Sequence, residues 1–250
     1  MKKRLFAMNK RGQLTFFVII VLSIAFIILF LVINFNSEKE FKNYKGGSEF
    51  EPIYLFAENC LKETAIQGTY YIGKTGGYLI PFKFSTNEGV AYYYIDGKYY
   101  VPTKERIESE TSNYIKNFFD YCINDFSDFP GFVVNVKDID ITTFIEDENI
   151  FFEVNYPLNI KKGDSTYDVE NFEFKLPIRI GLMHNISDQI IQKIIKNEGD
   201  LCISCIDKLA DENNIYINIT DYGNDTKLFV LDDPLSNITG TNFKYSFVSK

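Results

Sequence analysis

The sequence predicts an α+β protein: an N-terminal transmembrane helix, then an ectodomain of antiparallel sheet with packed helices. Three patterns carry that expectation. Leu14–Ile33 is a run of 20 residues without a charge, in which Thr15 and Ser23 are the only hydroxyls. Between residues 51 and 122, and again between 186 and 209, apolar side chains recur at three- and four-residue spacing, the period of a helix with one buried face. Between residues 150 and 180 they alternate with polar ones, as in an antiparallel sheet with one dry and one wet face. Helical and strand runs do not interleave as βαβ units, which separates α+β from α/β.

Residues 1–12 hold five bases (Lys2, Lys3, Arg4, Lys10 and Arg11) and no acid, and read as a basic cytoplasmic tail or a leader. The transmembrane helix is expected over 13–34. At 1.5 Å per residue, 20 residues span about 30 Å, the thickness of a hydrocarbon core. The run is too long for a signal-peptide core, and no small-x-small cleavage site follows it. It is apolar on every face, unlike the helix of a water-soluble core. The one-sided basic flank predicts an N-terminus in the cytoplasm and a C-terminal domain outside the cell membrane. The whole chain carries −8; without the five tail bases, 21 bases face 34 acids, a balance of −13.

Residues 35–50 read as a stalk, and Gly46-Gly47 would stop any continuation of the membrane helix. Region 51–130 is expected to be helix–hairpin–helix. Pro52 suits a first helical turn, and Ile53, Phe56, Cys60, Leu61, Thr64, Ala65, Gly68 and Ile72 stripe a helix running to about Gly73, stopped by Gly76-Gly77. Tyr92–Ile95 and Tyr99–Val101 flank Asp96-Gly97, a type I′ hairpin signal. Thr103 is a plausible N-cap, and Ile107, Thr111, Tyr114, Ile115, Phe118 and Cys122 stripe the second helix.

Region 131–250 is expected to be antiparallel sheet plus helices. Residues 133–144 form a strand. Ile150, Phe152, Val154, Tyr156, Leu158 and Ile160 form the apolar face of the next, and Phe172, Phe174, Leu176, Ile178 and Ile180 that of a third. Lys161–Asp164 makes the tight connection. Pro157 and Pro177 each remove a ladder donor and mark an edge or bulge. Ile186, Ile190, Ile191, Ile194 and Ile195 stripe one helix, and Cys202, Cys205, Ile206 and Leu209 another. Tyr216–Thr220, Lys227–Leu231 and Phe243–Val248 close the chain as strands.

Composition bounds the function. With 250 residues, 46% apolar and 16% aromatic without Trp, the chain can build a core and is not disordered. Its acidic balance argues against nucleic acid as a partner. A single histidine, His184, excludes two-imidazole metal sites. There is no GxSxG, P-loop or GxGxxG. No catalytic residue, metal site or cofactor is assigned. Asp138 and Asp140 share a strand face, and Asp232-Asp233 precede Pro234 in a turn; with 34 acids, such pairs arise by chance. His184 reads as a capping or surface residue.

Four cysteines are the sharpest feature, since thiols pair in an oxidising compartment. Three connectivities are possible. Cys60–Cys122 with Cys202–Cys205 is favoured, because Cys60 and Cys122 lie on helix stripes that could pack together. Cys202-x-x-Cys205 could alternatively be redox-active, although it follows a helix where thioredoxin-like sites follow a strand. Four N-x-[ST] sequons occur, at Asn185, Asn218, Asn224 and Asn237. Asn224 lies in the turn Tyr222–Asp225 and is the best candidate for glycosylation. Tyr92, Tyr93, Tyr94, Tyr99 and Tyr100 form either a packed hairpin face or a recognition surface.

Lys10-Arg11-Gly12-Gln13-Leu14-Thr15 resembles the archaeal class III, or type IV prepilin-like, signal. The resemblance implies cleavage between Gly12 and Gln13, with the apolar helix kept for assembly. Phe17 departs from it: the family carries Glu there, which sets subunit register in filaments. The chain also resembles uncharacterised membrane-anchored proteins of small-genome archaea. That likeness lies in its KRGQ opening, the Cys60 helix running into Gly76-Gly77-Tyr78, Asn155-Tyr156-Pro157-Leu158 and Cys202-x-x-Cys205. It implies no activity. The functional expectation is a single-pass envelope protein with a structural or interaction role, partnered by the membrane through Leu14–Ile33 and by itself or other envelope proteins. The alternatives are a pilin-like subunit and an extracytoplasmic thiol oxidoreductase.

Overall fold

A computed structural model describes Ile20, Ser23 and residues 47–80 and 82–250. The chain divides into two units, Met1–Lys42 and Asn43–Lys250. In the first, only Ile20 and Ser23 are described, both helical. Apart from these two residues, the expected transmembrane helix lies outside the described residues, as do the basic tail and the Gly12–Gln13 junction. Among the described residues no helix is long and apolar enough to cross a membrane.

The second unit is α+β, with helices packed on two largely antiparallel sheets. Helix α1 spans Glu51–Lys74 and has Pro52 in its first turn. Half of its 24 residues are buried, among them Tyr54, Ala57, Ile66 and Thr69, which lie off the expected stripe. The reason is that α1 is covered on several sides. It packs on a second helix and on strands of both sheets, so one 3–4 stripe undercounts its core positions. It ends as expected: Gly76 and Gly77 adopt φ +74° and +87°, where a side chain is strained.

Strands β1 (Tyr92–Ile95) and β2 (Lys98–Tyr99) form the expected hairpin. Asp96 and Gly97 both have positive φ, as a type I′ turn requires. Helix α2 (Lys104–Ile123) starts where Thr103 Oγ1 accepts from the Arg106 amide at 3.2 Å. Its buried stripe is Ile107, Thr111, Ile115, Phe119 and Ile123. Phe118 and Cys122, expected inside, are exposed. A strict i, i+4 row drifts around a helix, and the sheet below follows that drift.

The segment 133–144 is two strands, β3 (Val133–Val136) and β4 (Asp140–Ile145), rather than one. Both pair with the same edge of β5 (Ile150–Lys162), and β6 (Ser165–Leu176) pairs with the other. The break between β3 and β4 faces Pro157, whose carbonyl accepts from Lys137 N, and the β5–β6 register shifts there. Pro157 is thus a bulge inside a central strand. Pro177 lies just past β6 and ends it, so Ile180, expected on the strand, instead opens helix α3 (Ile180–Lys196). All six positions of the expected apolar face, every second residue from Ile150 to Ile160, are buried.

Helix α4 (Ile203–Asn213) follows, then β7 (Tyr216–Gly223), β8 (Thr226–Asp233) and β9 (Phe243–Ser249). These three join the first hairpin in a five-stranded sheet of order β2-β1-β9-β8-β7. The β1–β9 pair is parallel, the exception to the antiparallel pattern. Stacked rings cross this sheet: Phe229 on Phe247 (4.8 Å) and Phe247 on Tyr93 (4.9 Å).

Helix α3 meets the β4–β5 turn through Gly181, where an added Cβ would collide with the Glu146 carbonyl. Gly181→Ala is expected to cost about 1–3 kcal/mol, measured as a lower urea midpoint. An unchanged midpoint would show that the turn yields freely.

Candidate functional site

The four cysteines lie in two places of different character. Cys60, in the middle of α1, is bonded to Cys122 in the last turn of α2, with Cα atoms 5.6 Å apart. Cys60 is 3% exposed. The bridge ties the two helices at a buried position of α1 and an exposed one of α2. Cys202 is bonded to Cys205 at the start of α4, with Cα atoms 5.2 Å apart. Cys202 is the N-cap residue and Cys205 sits in the first turn, both partly exposed. The positive end of the helix dipole favours a thiolate there.

Next to the first bridge, Tyr71, Tyr114, Phe118 and Tyr121 form a ladder across the outer face of α1 and α2. Ring centroids lie 5.6, 4.5 and 6.1 Å apart in turn. Gly68 makes room for the Tyr114 ring, which would meet any Cβ there at 2.7 Å. Tyr121 is 82% exposed. The tyrosine-rich hairpin behaves differently. Tyr93 is fully buried, Tyr100 packs against Phe84, and Tyr99 donates to Asp188 Oδ1 at 2.8 Å. Most of its phenol surface is spent on the fold.

The buried polar groups lie between elements. Asp233 at the end of β8 accepts two hydrogen bonds from the Arg179 guanidinium at the N-cap of α3, and others from Ser236 Oγ and Leu235 N. Arg179 also donates to the Asn213 carbonyl at the end of α4. Its pKa is raised, first by the Asp233 hydrogen bonds. Asp232 points away and takes Asn242 and Lys244. Adjacent residues of a strand face opposite sides, so the two aspartates do not converge. Asp138 and Asp140 are both exposed and flank buried Ile139. Among the described residues no three His, Cys, Asp or Glu side chains converge as a metal site.

Tyr93 and Tyr245 are both fully buried, with hydroxyls 2.7 Å apart, and Tyr93 donates to the Gly76 carbonyl. Burial raises both phenol pKa values above the ordinary 10.0, and it pushes Tyr54 and Tyr156 to about 12. A raised phenol pKa means that the fold holds the neutral form. The stability this confers is complete below pH 10, where unfolded tyrosine is also neutral, and is lost as pH rises towards the folded values. The urea midpoint is expected to hold steady from pH 7 to 9 and to fall above about pH 10, with a shallower fall in Tyr93→Phe. An equally steep fall in that variant would assign the loss to other groups.

A cleft of about 450 Å³ opens between the start of α2, the β4–β5 turn and the first turns of α3. Lys104, Glu146, Asp147, His184 and Asp188 line it. Several are already engaged: Lys104 donates to the Ile145 carbonyl, and His184 Nε2 lies 2.7 Å from the Pro102 carbonyl. His184 thus ties α3 to the segment before α2, the bridging role of a structural histidine.

The sequons differ in geometry. Asn185 lies on α3, but Ser187 is buried and donates to the Met183 carbonyl. Asn224 sits in the β7–β8 turn with φ +51°, the exposed turn expected, but Thr226 is 3% exposed. Asn218 with Thr220 in β7, and Asn237 with Thr239 before β9, are exposed at both positions. The Gly12–Gln13 junction lies outside the described residues.

Sequence reasoning missed the Arg179–Asp233 pair and the capping carboxylates Glu108 and Glu110, which accept from the Ile145 and Leu79 amides. Arginine is rare in this chain, four residues in all, and one within an apolar strand pattern was the available signal, since a buried charge needs a partner. No family model, curated protein or solved structure matches the chain.

Proposed function

We propose that this chain is a single-pass, membrane-anchored protein of the cell envelope, whose extracytoplasmic head has a structural or interaction role. The observation that carries the reading is the pairing of all the cysteines: two bridges at two separate places, with no free cysteine among the described residues. Such pairing persists in an oxidising compartment and is rare where thiols are kept reduced. The basic tail and the 20-residue apolar run supply the anchor and its orientation. The ring ladder around Tyr121 favours contact with other molecules, because exposed aromatic clusters are typical of interaction surfaces.

The test is intact mass and N-terminal peptide mapping of the chain from native membranes, without reduction. Two bridges remove four hydrogens. A start at Met1 means a permanent anchor. A start at Gln13 means prepilin-type processing and moves the role to a pilin-like subunit. Recovery of the chain with free thiols from the soluble cytosol would sink the envelope reading.

One observation favours a second reading. Cys202 and Cys205 form an accessible bridge at a helix N-terminus, so they could oxidise a substrate dithiol, taking up its two electrons and two protons as the bridge opens. If the purified chain shows no thiol exchange that Cys205→Ser removes, this reading is discarded.

A further inference from the structure

We propose that Asn218 is an N-glycosylation acceptor and that its sugar guards the open edge of the five-stranded sheet. The inference rests on the envelope reading, which places this face outside the cell. Strand β7 is the last of its sheet and pairs only with β8. Along Tyr216–Thr220, its backbone groups make no backbone hydrogen bonds beyond the ladder with β8 among the described residues. Such an edge invites another strand, and proteins block it with lysine, proline, bulges, shortness or inward charge. Two other edges are handled by shortness or by charge. Strand β2 is two residues long, and β6 exposes Asp168, Glu170 and Glu173. The stretch Tyr216–Thr220 has no charge and no proline, and its ladder with β8 is regular until the irregularity between Asp221 and Gly223.

The sequon lies in the middle of this unguarded stretch. Asn218 and Thr220 are two apart, so they project from the same face of the strand. Both are exposed. Acceptance needs a reachable carboxamide and a reachable hydroxyl two residues on. The alternatives are less well placed. Ser187 and Thr226 are buried, while the Asn237 carboxamide donates to Asn242 and the Thr239 hydroxyl pairs with Thr241. In the transfer, a lipid-linked sugar phosphate donor loses its bond between sugar C1 and phosphate oxygen. C1 bonds to Asn218 Nδ2, and an amide proton leaves with the phosphate. The oligosaccharide then overhangs the lane, about 4.8 Å wide, that an incoming strand would occupy.

The test is peptide mapping of the full chain from native membranes, beside protease treatment of intact cells. The expected result is a sugar increment on the peptide holding Asn218 and none on that holding Asn185. Asn218→Gln should lose the increment and shift the purified chain towards dimers and larger species; Asn237→Gln should not cause that shift. A bare Asn218 on a head that protease can reach from outside overturns this inference and leaves the envelope reading standing. A bare Asn218 on a head protected inside the cell overturns both. A glycosylated Asn218 whose Gln variant stays monomeric overturns the guarding role.

Discussion

Replacing Cys60 and Cys122 together by alanine is expected to lower the stability of the head by about 4 kcal/mol, whereas the same change at Cys202 and Cys205 costs about 2 kcal/mol. The difference follows from the sequence separations, 62 against 3. A bridge restrains the unfolded chain by closing a loop, and the long loop has far more freedom to lose. The first bridge also fixes α1 to α2, and α1 packs on strands of both sheets, so its loss reaches every layer. Urea unfolding of the full chain in detergent measures both variants. Equal losses, or a larger loss at the short loop, would contradict the account.

Asp233→Asn is expected to destabilise the head by about 3–5 kcal/mol, although it changes one atom. The Asp233 side chain is fully buried, and the amide would leave the buried Arg179 guanidinium without its counter-charge. The cost is that of the unpaired ion, rather than the net worth of the pair. The companion variant therefore decides the mechanism: Arg179→Met with Asp233→Leu removes both charges and should recover much of the loss. The recovery will be incomplete, because Ser236 Oγ and the Leu235 amide lose their acceptor and the Asn213 carbonyl its donor. A double variant as unstable as Asp233→Asn would show that the local hydrogen bonds, rather than the buried charge, dominate.

How far these features could be read in advance depends on the range of the interaction behind each. The β1–β2 turn was legible because Asp96-Gly97 specifies a type I′ conformation by itself. The Thr103 cap was legible because its hydrogen bond spans three residues. The face of β5 was legible because a period of two leaves one choice of inside. The stripe of α2 was misjudged by one position: Phe118 and Phe119 are equally apolar, and only the sheet beneath decides which is covered. The termination of β6 was misplaced because Ile178 and Ile180 continue the alternation after Pro177 has ended the ladder. Among the sequons, turn chemistry pointed to Asn224, and it was the burial of Thr226 in β8 that shifted the balance to β7.

By itself, the sequence determined what local chemistry determines: the periods, the turns, the caps, the charge asymmetry about Leu14–Ile33 and the preferred partners among four cysteines. Tertiary structure alone decided the insertion of β9 between β1 and β8, the parallel pair it makes with β1, the burial of α1 on several sides and the meeting of Arg179 with Asp233. The β1–β9 pair and the Arg179–Asp233 pair each join segments more than 50 residues apart. Their energies come from burial and charge pairing that exist only once distant surfaces meet, and no local window of the sequence contains both partners.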